Sequence, residues 1–432
     1  MREKKADLKA MQENNTQEAE GQSAGTLRII VTSSVAYIPI AGATVTISYT
    51  GDPENPIATL TTDSSGETEI ISLPTPPLSY SLDPESLQQP YSEYNILVTA
   101  EGYEPVYVTG SEMFENELSL QPIRMDPIEM EPGQAEKRVP IPVHTLFGEY
   151  PPKIPEDEIK PMAETGEIVL SRVVIPEYVI VHDGVPSDSS APNYWVRYKD
   201  YIKNVASCEI YSTWPEATLY ANILVIMSFT LNRVYTEWYR NQGYNFTITS
   251  STAYDQKWVY GRNIFENIDF LVDTIFANYL SRPGVRQPIF TSYCDGQRVT
   301  CSGLSQWGSK YLGDQGYSAI EIIRYYYGND MYINSADVIS GVPSSWPGYS
   351  LTIGSSGEKV LQMQNQLNRI ARNYPAIPVI TADGIYGPRT AEAVRTFQGI
   401  FNLPRTGVVD YPTWYEISDI YVGVSRIAEP GR

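Results

Sequence analysis

The chain has 432 residues, and 51 Asp and Glu against 31 Lys and Arg leave it with a net charge of −20. That balance excludes nucleic acid as a partner, because neutralising phosphates takes a basic patch, and the length exceeds what one compact core holds, so roughly two to four domains are expected. The acidity is concentrated in the front third: residues 1–150 carry 23 acidic and 8 basic side chains (−15), residues 201–432 carry 19 and 18 (−1).

Residues 1–24 are polar, lack periodic apolar positions and are expected to be disordered or a loose helix. They also lack the apolar core of a secretory signal, and the longest apolar run, at 223–227, is far shorter than a membrane span. From Thr26 the pattern changes. The stretches 27–32, 43–49, 58–62 and 94–100 are β-branched, largely alternating and broken by Gly, Pro and Asp, which predicts a small β-sandwich over 25–125.

Residues 126–172 are rich in Pro and Glu, as in Glu131-Pro132-Gly133 and Tyr150-Pro151-Pro152. Pro removes donors and favours extended backbone, so an exposed linker open to proteases is expected there. A mixed α/β unit follows over 173–345, with helices predicted at 218–240, 263–280 and 319–327. A last unit over 350–424 combines a helix from about Glu358, a tight turn at Asp383-Gly384 leading into a second helix, and a short third helix after Gly407. The fold class is therefore multidomain α+β.

Glu209 lies in Ala206-Ser207-Cys208-Glu209-Ile210-Tyr211, at the head of the apolar helix predicted next. A carboxyl there reads either as a general acid or as an ordinary helix-start carboxylate favoured by the macrodipole. An acid working near neutral pH needs desolvation, for which Tyr211, Trp214 and Trp307 are plausible walls. A two-carboxylate hydrolase would need a partner, and Asp255 or Glu216 could be it. The three cysteines are too few for a disulfide framework. Cys294 and Cys301 could form a disulfide, stay free, or supply half of a zinc site, and the first two readings are preferred because His144 and His182 are the only histidines. Cys208 has no suitably placed His to make it a nucleophile and reads as a buried structural thiol.

Several segments recur in one order: Tyr201-Ile202-Lys203-Asn204, then Glu209, Trp214-Pro215-Glu216-Ala217, Thr252-Ala253-Tyr254-Asp255-Gln256, Gly303-Leu304-Ser305-Gln306-Trp307-Gly308, and Glu321-Ile322-Ile323-Arg324-Tyr325-Tyr326. This series resembles the catalytic domain of stage II sporulation protein D, a family of peptidoglycan lytic transglycosylases. The resemblance implies Glu209 as the catalytic acid, with Trp214, Tyr254, Asp255, Gln256, Ser305, Gln306 and Trp307 binding substrate. One carboxyl would then serve twice, protonating the leaving oxygen and taking the proton of the muramic 6-hydroxyl, to give a 1,6-anhydro end. The family usually carries an Arg where this chain has Met227, and Arg233 or Arg262 could substitute.

The C-terminal unit closely resembles the three-helix peptidoglycan-binding domain type 1, which implies wall-binding roles for Asp383, Tyr386, Arg389, Phe397 and Gln398. The front sandwich resembles transthyretin-like and carboxypeptidase-regulatory-like modules, a likeness that says little about function. The whole order is similar to the SleC family of clostridial spore cortex-lytic enzymes. That similarity implies a zymogen with a sandwich pro-domain and no cofactor, cut in its linker by a subtilisin-like Csp germination protease. It also implies cortex peptidoglycan containing muramic-δ-lactam as substrate, and synthesis in the mother cell for the cortex and coat region of the bacterial spore. A peptidoglycan amidase, a glycoside hydrolase, or a non-catalytic wall-binding protein remain the alternatives.

Overall fold

The computed structural model describes residues 23–35, 37–128, 136–160, 170, 172–336, 338–341 and 346–425. Nearly all of the expected disordered segment 1–24 lies outside the described residues, as do positions 129–135, 161–169 and 171 of the expected linker.

The front unit comprises β1 (Ala24–Ser33), β2 (Thr44–Tyr49), β3 (Asp52–Thr61), β4 (Ile71–Pro74), the short helix α1 (Ser79–Leu82), β5 (Ser92–Thr99), β6 (Val106–Met113) and β7 (Leu118–Met125). Alternation makes the strands: Leu27, Ile29 and Val31 are buried along β1 while their neighbours are only half-buried. One sheet runs β4-β1-β7 and the other β3-β2-β5-β6, and both supply the same core, including Val31, Val45, Ile96, Val108 and Ile123.

Neither sheet is complete without later residues. A strand β8 (Lys137–Pro140) extends the second sheet parallel to β6, and the strand Ile264–Phe265, from the central unit, extends the first antiparallel to β7.

The Pro-rich segment thus departs from the exposed linker expected of it. Val139 and Ile141 join the sandwich core, and His144, Tyr150 and Lys160 are buried. Its backbone polar groups, which Pro leaves without a ladder, are met by fixed partners: Ile154 N–H donates to Ala253 O at 2.8 Å, and Gln287 exchanges two hydrogen bonds with the Lys160 backbone at 3.1 and 3.0 Å.

The central unit is built on α2 (Tyr198–Glu209), α3 (Glu216–Tyr235), α4 (Glu266–Ile275), α5 (Gln306–Asp314) and α6 (Ala319–Tyr327). Helix α3 runs through the core. By length and composition it could cross a membrane, a possibility the 223–227 run did not suggest, yet almost all of it is buried inside the protein. It stops at Tyr235, short of the expected 240, and the chain then turns through Gly243 at φ 89°. The helix expected over 263–280 forms only as α4, because Ile264–Phe265 is captured by β7 and Asn278–Ser281 pairs with Tyr332–Ser335. Tertiary pairing there overrides local periodicity.

The C-terminal unit holds α7 (Glu358–Ala371), α8 (Pro388–Ile400) and α9 (Tyr411–Ser425). It docks through a buried charge cluster: Lys199 of α2 meets Glu416 at 2.6 Å, Asp419 at 2.9 Å and Asp273 at 3.2 Å, and Lys203 meets Asp269 at 2.7 Å and Asp273 at 2.9 Å.

Candidate active site around Glu209

Glu209 is the last residue of α2, not the head of α3. The helix-start reading therefore falls, because at a C-terminus the macrodipole disfavours a carboxylate. The side chain is fully buried. Lys257 N–H donates to its Oε1 at 2.6 Å, while Oε2 has no hydrogen-bond partner. Burial pushes the carboxyl above its ordinary range, and the opposing influences of Lys153, the Lys257 N–H and Tyr293 reduce that rise without cancelling it. Burial thus favours the protonated form of a carboxyl whose second oxygen closes no hydrogen bond.

The walls are tyrosines. Tyr150, Tyr201 and Tyr293 all lie within electrostatic reach of Glu209, and burial raises each phenol well above its ordinary value. Tyr201 OH donates to Gln256 Oε1 at 3.1 Å, whereas the hydroxyls of Tyr150 and Tyr293 close no hydrogen bond, the second of them facing the Glu209 carboxyl. Lys153 enters from the Pro-rich segment, donates to the carbonyl of Asp255, and sits 4.3 Å above the Tyr293 ring.

The tryptophans form the adjoining face. Trp214 and Trp307 pack at 4.9 Å between centroids, and both meet Tyr211, two residues after Glu209. Trp214 Nε1–H donates to Ser81 O of the sandwich at 3.0 Å, so it is occupied by the protein itself. Trp307 Nε1 and both ends of the Gln306 amide are buried without partners. These two residues keep polar groups that a ligand could satisfy.

The remaining candidates are framework. Asp255 accepts from Arg233 Nε, Tyr239 OH, and both the N–H and hydroxyl of Thr249 at 2.7–2.8 Å, which leaves no capacity for a catalytic partnership. Gln256 is tied to Tyr201, Thr230 and the Ile226 carbonyl. Ser305 caps α5 through Gly308 N–H. Tyr254 is half-buried and contributes its carbonyl to Arg233. Glu216 is exposed in the first turn of α3. Arg233 is committed to Asp255 and Glu156, and Arg262 to Glu112 and the Ser207 carbonyl, so neither replaces the Arg absent at the buried Met227.

Cys294 and Cys301 are joined in a disulfide, which removes both thiolates as zinc ligands. Among the described residues no cluster of metal-ligating side chains stands elsewhere. Inside the bridged loop the Asp295 carboxylate accepts from the backbone of Gln297, Arg298 and Val299. A side chain at Gly303 would collide with the Ser292 carbonyl, so the approach of the strand Leu304–Ser305 to its parallel partner Tyr293–Cys294 requires glycine. Cys208 is a free buried thiol, as a structural role requires.

In the C-terminal unit the predicted wall-binding residues divide. Phe397 and Gln398 are fully buried and Tyr386 nearly so, which corrects their assignment to a wall-facing surface, while Asp383 and Arg389 are exposed. Gln398 accepts from Gly407 N–H at 2.8 Å and donates to Val408 O at 2.9 Å. Gln364 does the same one repeat earlier, accepting from Gly384 N–H at 2.8 Å and donating to Ile385 O at 3.0 Å. Helices α7 and α8 thus each carry a glutamine that pins the glycine turn before the next helix.

Residues 356–417 match the family described as "Putative peptidoglycan binding domain". The C-terminal unit is a peptidoglycan-binding domain. Among solved structures, the SleB N-terminal domain is 29% identical over 17% of this chain and 93% of its own, with a TM-score of 0.15. The minor pilin GBS52 of Streptococcus agalactiae is 16% identical over 27% of this chain and 49% of its own, with a TM-score of 0.18. The 5-hydroxyisourate hydrolase of Klebsiella pneumoniae is 15% identical over 24% of this chain and 92% of its own, with a TM-score of 0.17. No match was found among curated proteins.

Proposed function

We propose that this protein is a peptidoglycan lytic transglycosylase of the bacterial spore cortex, with Glu209 as its single acid–base residue. The observation that carries the reading is a buried carboxyl at a helix C-terminus, held by one backbone N–H, with its second oxygen free. Of the two carboxylates considered as its partner, Asp255 is spent on four donors and Glu216 is exposed whereas Glu209 is buried, which suits a reaction needing one carboxyl twice rather than the paired carboxyls of a hydrolase. The peptidoglycan-binding domain supplies the substrate class.

The buried state of Glu209 supports a latent form, and with it a zymogen activated by a Csp-type germination protease and directed at cortex glycan bearing muramic-δ-lactam. The same burial favours a second reading, a wall-binding protein without activity. Mass spectrometry of fragments released from purified cortex peptidoglycan separates these, using the full chain before and after cleavage by that protease, beside Glu209→Gln. Anhydro-muramic ends made only with Glu209 present support the transglycosylase. Reducing ends or free peptides would point to a hydrolase or amidase, and sedimentation with the wall without release would point to the binding protein.

A further inference from the structure

The Pro-rich segment presents a functional face. Tyr150, Lys153 and Glu156 turn toward the protein while Pro151, Pro152, Ile154, Pro155 and Asp157 are exposed. A spacing of three matches the three-residue turn of extended, Pro-rich backbone. Each inward residue meets the site or its support: Tyr150 and Lys153 lie within electrostatic reach of Glu209, Lys153 holding the Asp255 carbonyl two residues before the Lys257 N–H that Glu209 accepts from, and Glu156 forms a bidentate pair with Arg233 at 2.6 and 2.8 Å.

Lys153 differs from the other inward lysines. Lys160, Lys199 and Lys203 each close an ion pair with a carboxylate at 2.6–2.7 Å. Lys153 closes none among the described residues: its ammonium donates to a backbone carbonyl and rests on the Tyr293 ring. Even a half-buried cation without a carboxylate is costly. Of the polar atoms around it that close no hydrogen bond, the Tyr150 and Tyr293 hydroxyls and Glu209 Oε2, only the last belongs to a carboxyl.

We infer that Lys153 is a positioning residue for the acid–base cycle of Glu209, its ammonium stabilising the carboxylate that Glu209 becomes between its two proton transfers. In the first transfer the Glu209 proton moves to the bridging oxygen as the muramic C1–O bond breaks. In the second the carboxylate takes the proton of the muramic 6-hydroxyl as O6 bonds to C1. No water is consumed, Glu209 ends protonated as it began, and Lys153 keeps its charge throughout. The role rests on the reading of Glu209 given above. It also requires any activating cut to leave residue 153 attached to the central unit.

The test compares the full chain, Lys153→Met and Lys153→Arg, before and after the activating cleavage. Difference infrared spectroscopy follows titration of the Glu209 carboxyl, with Glu209→Gln assigning the band. Loss of the cation is expected to move that titration alkaline by about one pH unit or more, and kcat is expected to fall about tenfold or more, the rate equivalent of one unit. KM is expected to change far less, and Lys153→Arg is expected to restore both readouts. An unmoved titration and rate in a Lys153→Met protein of wild-type melting temperature overturn the proposal. If that variant does not fold, Lys153→Gln gives the same comparison. A wild-type chain that never releases glycan ends would overturn the reaction itself, an outcome distinct from a cleaving wild type matched by an equally active Lys153→Met.

Discussion

Arg262 and Glu112 form a bidentate ion pair between the central unit and the sandwich, with both side chains buried. Around it Asn263 exchanges two hydrogen bonds with the Glu112 backbone at 2.9 and 3.1 Å, and Gln121 Nε2–H donates to Gly261 O at 2.8 Å. Together with the strand Ile264–Phe265 on β7, these contacts make the two units continuous.

Arg262→Met should therefore cost about 3–5 kcal/mol, the range for removing one partner of a buried pair and stranding the other charge. Calorimetry of the full chain should show the sandwich and central unit melting in one transition. Separate transitions, or a loss below about 1 kcal/mol, would show two independent bodies joined only by the chain.

Glu209→Gln should be more stable than the wild type at neutral and alkaline pH. Burial raises the folded carboxyl above its ordinary value of 4.5. Its favourable contribution is therefore complete below the unfolded value and is lost as pH rises through the raised folded one. The amide keeps the Lys257 N–H bond and has no charge to desolvate. Melting curves from pH 4 to 8 check this: the variant's advantage should grow with pH, and a constant difference would contradict the raised carboxyl.

In the C-terminal domain, Gln398→Ala should cost about 2–3 kcal/mol, because the Gly407 N–H and the Val408 carbonyl lose a buried partner. The exposed Arg389→Ala should change stability by less than about 0.5 kcal/mol while weakening sedimentation with purified peptidoglycan. Equal loss of stability in both variants would mean that Arg389 also belongs to the framework.

Local chemistry was legible wherever one element made its own argument. The alternating residues of β1 and the helix at Ala319–Tyr327 both declare themselves over a few positions. The helix expected over 263–280 was not legible to its ends, since its first residues leave to join a strand more than a hundred positions earlier. In the site, Glu209, Gln306 and Trp307 were named from their motif surroundings. Tyr150, Lys153 and Tyr293 were missed, and the one available signal was the inward spacing of three in the Pro-rich segment. Asp255 and Gln256 sit in equally suggestive surroundings, yet their hydrogen bonds are spent within the fold.

The sequence by itself determined β1, β2, β3 and β5 of the sandwich and the helix at Ala319–Tyr327, because periodicity and turn residues act over a few neighbours, and it showed the C-terminal unit through its resemblance to a peptidoglycan-binding domain. Only the tertiary structure decided that Glu209 closes a helix rather than opens one, and that a Pro-rich stretch is built into the site. It also decided that both sheets of the sandwich borrow a strand from later in the chain. Those outcomes depend on which distant group meets each unpaired backbone or charge, and a carboxyl or a lysine carries no mark of its partner until burial makes an unmet charge expensive.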